Sequence, residues 1–142
     1  MVHIWIVYCR SLLEQSAVVW SSSLTQENID DLERTQKSFV KLILKNGYNS
    51  DYEGSYENAL MKLNLQTLEQ RRQGLCLKFA KNCIKNDKLT DLFPENENMH
   101  ESRYPEKYKV LRANTDRLQK SSIIYMQNLL NTDYRNQQKK PI

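Results

Sequence analysis

Apolar residues recur along this chain at intervals of three and four, the spacing that lines one side of an α-helix. The first such run covers residues 2 to about 20. Ile4, Tyr8, Leu12 and Val19 share a stripe, Trp5, Cys9 and Leu13 widen it, and no capping residue precedes it. A helix that opens so abruptly reads as the middle of something longer. Ser21-Ser22-Ser23 breaks it, because serine hydroxyls compete for backbone hydrogen bonds and favour turns. Thr25 is the expected N-cap of a second helix running to about Lys45, with Glu27, Asp30 and Asp31 near the positive end of its dipole. Ile29, Leu32, Phe39, Val40, Ile43 and Leu44 form its expected buried side, and Asn46-Gly47 is its expected stop.

Residues 48–55 read as a polar loop. A short helix, about Tyr56 to Leu63, turns Ala59, Leu60 and Leu63 inward. Thr67-Leu68-Glu69-Gln70 is a capping box, and the helix it opens reaches about Lys85. On that helix Leu68, Leu75, Phe79 and Cys83 project within roughly a quarter turn of one another. Leu77, Ala80 and Ile84 extend the apolar surface, and Arg71, Lys78, Lys81 and Lys85 take the remaining arc. Residues 86–102 are loop-like, with one turn over Leu89 to Phe93 ended by Pro94. Residues 103–114 alternate weakly, and Pro105 limits them to an edge or loop. A last helix from about Thr115 to Asn131 carries Leu118, Ile123, Tyr125, Met126, Leu129 and Leu130.

The expected fold is therefore all-α, a small irregular bundle of about four to five helices with a loop-rich, partly extended segment near residues 94–114. The expected division is a helical core over 1–93, a basic segment over 94–114, a C-terminal helix over 115–132 and a frayed tail over 133–142. Composition agrees on the class: three Gly and three Pro are too few for the turns of an all-β chain. A mean hydropathy of −0.73 is polar for a globular protein, but 9% aromatic residues argue against wholesale disorder, so a modest core is expected. Cys9, Cys76 and Cys83 are odd in number, and no secretory leader pattern surrounds residues 2–9. Arg10 and Glu14 interrupt that apolar run well short of the roughly 20 residues of a membrane span. Free thiols, no membrane partner and an intracellular location, cytoplasm or nucleus rather than secretion, are the expectation.

Charge is unevenly spread. Residues 1–71 hold seven Lys/Arg against nine Asp/Glu, 72–142 hold fourteen against eight, and 103–140 hold nine against three. A basic end on a near-neutral body suggests a polyanion, with a merely solvated tail as the alternative. Arg103, Lys107, Lys109, Arg112, Arg117 and Lys120 interleave with Tyr104 and Tyr108. Cations neutralise phosphates and rings stack on unpaired bases, so these are the first candidates for RNA or DNA backbone contact. Lys78, Lys81 and Lys85 come second, and a wet helix face is the plainer reading of them.

Nothing converges on catalysis. Three scattered glycines build no phosphate loop, and neither His3 nor His100 lies in a motif. Cys76 and Cys83 lack the close pairing of a zinc site and read as core thiols. Asp30-Asp31 could hold metal ions only on a fixed turn; inside a capped helix the dipole accounts for it. No catalytic, cofactor-binding or metal-binding residue is assigned, no cofactor is implied, and the chain is not expected to be an enzyme by itself.

Three stretches, Arg10 to Asn46, Asn58 to Leu92 and Lys109 to Asn131, together resemble the C-terminal region of reverse transcriptases from non-LTR retrotransposons of invertebrate type. The most specific part is LEQSAVVW, then SLTQEN, then DLERTQKS, and the order and spacing carry the likeness. In that family a helix ending near a Trp, here Leu12 to Trp20, precedes a helix like Leu32 to Leu44, downstream of fingers, palm and thumb. The family's aromatic-x-Asp-Asp turn is not matched by Asn28-Ile29-Asp30-Asp31, so no catalytic residue carries over. The resemblance implies a noncatalytic helical extension, present as a fragmentary copy, that holds template, primer or target DNA near the polymerase. Its alternatives are a structural or docking module that only packs against the polymerase thumb, or a copy without function.

Overall fold

The computed structural model describes residues 2–44, 56–97 and 106–138. Among them the all-α class holds: there is no strand, only one antiparallel bridge between Glu95 and Tyr108. No helix among these residues is long and apolar enough to cross a membrane. The expected stop at Asn46-Gly47, the loop 48–55, His100, Arg103, Tyr104, Pro105 and residues 139–142 lie outside the described residues. More helical segments occur than the four to five expected, because two of the expected helices are broken.

The first break is at the N-terminal run. It consists of α1 (Val2–Ile4), a π-turn (Trp5–Arg10), α2 (Ser11–Glu14), α3 (Ala17–Trp20) and a 3₁₀ turn (Ser21–Ser23). Gln15 leaves the helix at ψ 128° and Ser16 adopts φ 54°, a left-handed conformation uncommon for a residue with a side chain. A π-turn closes i→i+5 bonds and so slips the helical phase. The expected stripe is overturned: Ile4, Tyr8, Leu12 and Val19 are 57%, 67%, 71% and 71% exposed, while Trp5 and Ala17 face inward.

The chain divides into two compact units, Met1–Ala17 with Leu24–Arg72 and Val18–Ser23 with Gln73–Ile142. The division falls within α3 and α6. In unit 1, Thr25 caps α4 (Gln26–Ile43) as expected, its hydroxyl accepting from the Asn28 N–H at 3.3 Å. α5 (Tyr56–Lys62) buries Ala59 and Leu60. It ends in a Schellman motif, with Asn64 at φ 52°, Asn64 N–H donating to Met61 O and Leu65 N–H to Leu60 O. Val40, Ala59, Leu60 and Leu65 form the core, flanked by Val2, Ile6, Phe39 and Leu44. Trp5 stacks on Phe39 with ring centroids 4.3 Å apart.

A polar network sits beside this core. Tyr56 Oη donates to Glu33 Oε1 at 2.6 Å, and the Leu68 N–H donates to Glu33 Oε2 at 3.0 Å, which satisfies one of the orphan donors opening α6. Gln36, wholly buried, donates to Tyr56 Oη and to Gln66 O. Burial, then the bond to the Glu33 carboxylate, pushes the Tyr56 phenol well above its ordinary value. Arg71 grips Glu14 through two bonds of 3.0 and 2.9 Å, with Arg10 3.4 Å from the same carboxylate. Arg71 therefore leaves the wet basic arc in which the sequence placed it.

α6 (Leu68–Ile84), its start capped by Thr67 as expected, gives unit 2 its residues from Gln73 onward. Its buried line is Leu68, Arg72, Cys76, Ala80 and Cys83, whereas Phe79 is 45% exposed. Of the expected Leu68–Leu75–Phe79–Cys83 face, Leu68 and Cys83 are buried, Leu75 is half-buried and Phe79 turns outward. Cys76, Ala80 and Cys83 share one core with Met126 and Leu130 of α8, and Phe93 and Tyr108 complete the cluster. The expected turn before Pro94 is present as a 3₁₀ turn, Thr90–Leu92.

The expected helix over Thr115 to Asn131 is the second broken one. Thr115 caps α7 (Asp116–Gln119), the chain breaks at Lys120-Ser121, and α8 runs from Ser122 to Gln138. Ser122 Oγ donates to Val19 O at 2.7 Å, which ties the start of α8 to the α3 end of the same unit. The expected fraying after Asp133 is corrected as far as Gln138. There Gln137 donates to Asp133 one turn back and Lys81 pairs with Asp133, so the last turns have polar partners of their own.

Candidate nucleic-acid interface

Every described candidate cation belongs to unit 2. The first group sits on or after an irregular stretch that must satisfy its backbone without a sheet. Two side chains of α8 do most of this. Asn131 accepts from the Tyr108 N–H and donates to Tyr108 O, both at 2.8 Å. Gln127 accepts from the Leu111 N–H at 3.0 Å and donates to Leu92 O at 2.9 Å. Both amides are buried, 2% and 0% exposed, so they act where water cannot replace them. On the other edge the Lys109 N–H donates to Pro94 O and the Asn96 N–H to Lys107 O. Residues 107–111 are thus held extended between α8 and residues 94–96.

That scaffold sorts the candidates. Lys107 does not simply face water: its ammonium is 3.1 Å from Glu95 and 5.4 Å from the Tyr108 ring centroid. The bond to Glu95, and then Tyr108, hold it above the usual lysine range. Lys109 and Arg112 are exposed along the same segment, Arg117 is exposed on α7, and Lys120 is exposed at its C-terminus. On α6, Lys81 pairs with Asp133 at 2.7 Å, while Lys78 and Lys85 are exposed three residues before it and four after. Arg103 lies outside the described residues.

Lys81 and Lys107, far apart in sequence, meet at one groove with Tyr108, Asp133 and Tyr134. Sequence reasoning missed Glu95, Asp133 and Tyr134 as their neighbours. It also missed Gln127 and Asn131, although their spacing in phase with Ile124 and Leu130 was a usable signal. Among the described residues no group of three His, Cys, Asp or Glu is placed to hold a metal ion. Asp31 pairs with Arg34, Asp30 accepts from Gln26, and burial raises the Cys83 thiol, which disfavours the thiolate that metal binding or nucleophilic attack needs. No protein-family model, no curated protein and no solved structure matches the chain.

Proposed function

We propose that the chain is a noncatalytic helical region of a retrotransposon-type reverse transcriptase, and that it binds RNA or DNA through the sugar-phosphate backbone. What supports the binding reading is the charge of unit 2, where Lys78, Lys85, Lys109, Arg112, Arg117 and Lys120 all expose their cations. The family assignment rests on the sequence resemblance. Such contacts release counterions, are indifferent to base sequence and weaken steeply with salt.

The test is a titration of single-stranded RNA and DNA at a series of salt concentrations. The expected outcome is a dissociation constant of about 10⁻⁴–10⁻⁶ M near physiological salt. Removing two cations together, Lys109→Ala with Arg112→Ala, lowers the slope of log K against log salt by about 1.4 on single strands. Absence of binding at low salt overturns the reading.

A second reading, a structural or docking module, is favoured by one observation. Ile4, Tyr8 and Leu12 leave an apolar row of unit 1 in solvent, which drives association when nothing covers it. Light scattering separates the two: a well-behaved monomer that binds RNA supports the first, and self-association without binding supports the second.

A further inference from the structure

The groove of unit 2 has two lobes. The narrower, about 120 Å³, includes Lys81, Lys107, Asp133, Tyr134 and Gln137 in its walls. The wider, about 320 Å³, is lined by Glu95, Asn96, Lys107 and Tyr134. Lys107 and Tyr134 line both, and the wider one reaches the lower end of the roughly 300–1,000 Å³ typical of small-ligand sites.

Its electrostatics differ from those of a phosphate clamp. Each lysine in the groove is matched by a carboxylate, Lys81 by Asp133 and Lys107 by Glu95. The four charges sum to zero, and the carboxylates repel an incoming anion. What the groove offers is a phenol ring with amide, ammonium and carboxylate groups around it. A flat apolar face edged by donors and acceptors suits a planar, neutral ring that carries donors and acceptors of its own. The exposed positive charge lies outside the groove. Lys78 and Lys85 flank Lys81 on one side of α6, about 4.5 Å and 6 Å away along the helix axis, and Lys109 directly follows Tyr108.

We infer that this groove is a subsite for one unpaired nucleobase of a single-stranded RNA or DNA, stacked on Tyr134, with the adjoining phosphates carried by Lys78, Lys85 and Lys109. The inference rests on the nucleic-acid reading above and adds a strand preference to it, because a base held inside a duplex presents no free face. Duplex binds only through the exposed cations.

The experiment compares three probes on the full chain at low salt: a short single-stranded RNA, the same strand with its bases removed to leave abasic sugars, and the corresponding duplex. The wild-type protein binds the intact strand about tenfold more tightly than the abasic one, the range of one base–aromatic stack. Tyr134→Ala abolishes that difference and leaves abasic-strand and duplex binding unchanged, whereas Tyr134→Phe, which keeps the ring, retains it. Equal affinity of the wild type for intact and abasic strands overturns the nucleobase subsite and leaves the backbone reading standing. Absence of binding to all three probes overturns both.

Discussion

The two units of this chain meet one problem with different chemistry. Each must bury irregular backbone beside a helix, and each uses side chains to satisfy it. Unit 1 uses a carboxylate: Glu33 accepts from Tyr56 and from the Leu68 N–H, with Gln36 bonded into the same cluster. Unit 2 uses neutral amides: Gln127 and Asn131 bond the backbone at Leu92, Tyr108 and Leu111. A charged acceptor makes the stronger bonds. Amides supply donor and acceptor together and titrate nowhere near neutrality. Burial and the Glu33 bond make the Tyr56 phenol of unit 1 sensitive to alkali, whereas the two amides of unit 2 carry no titrating group.

The sharpest way to break this comparison is Asn131→Ala. It strands the Tyr108 N–H and carbonyl in a buried site, at about 1–3 kcal/mol for each lost partner. We expect a loss of about 3 kcal/mol by denaturant unfolding, with hydrogen exchange rising along residues 107–111 and not in α4 or α5. A rise spread evenly over both units contradicts the division.

Glu33→Gln comes next. It turns one acceptor into a donor that faces either the Tyr56 hydroxyl or the Leu68 N–H. The expected cost is about 2 kcal/mol, read by the same measurements, with faster exchange confined to α4, α5 and the start of α6.

A smaller effect appears in alkali. The Tyr56 phenol is raised above its ordinary 10.0, so the neutral form is favoured in the folded state. Its contribution is complete below the unfolded value and is lost as pH rises through the folded one. Stability of unit 1 should fall as pH climbs past 10, and in an ultraviolet phenolate titration the last tyrosine to ionise should vanish in Tyr56→Phe. Early ionisation of Tyr56 contradicts its place in the network.

The smallest change tests the helix phase of α6. Phe79→Ser on the exposed side should shift stability by no more than about 0.5 kcal/mol, as surface substitutions do. A large loss restores the face read from the sequence.

Local signals were legible wherever chemistry between near neighbours decided the outcome. Thr25, Thr67 and Thr115 cap helices because their hydroxyls reach N–H groups three residues on. The inward side of α5 and the turn before Pro94 followed from apolar spacing and from proline's missing N–H. The candidate interface was legible as a run of cations. That Lys81 and Lys107 are ion-paired was not, because Asp133 lies 52 positions from Lys81.

Sequence alone thus determined the all-α class, most helix starts and the concentration of positive charge towards the C-terminal end, because these depend on composition or on contacts within one turn. Tertiary structure decided which side of each helix is buried. Average hydrophobicity pointed Phe79 inward, but the core that α6 shares with α8 takes Cys76 and Ala80 instead. Ile4, Tyr8 and Leu12 of the N-terminal run face outward in the folded chain. Gln36, Gln127 and Asn131 entered the core because backbone groups distant in sequence needed partners there, a demand that only the folded chain creates.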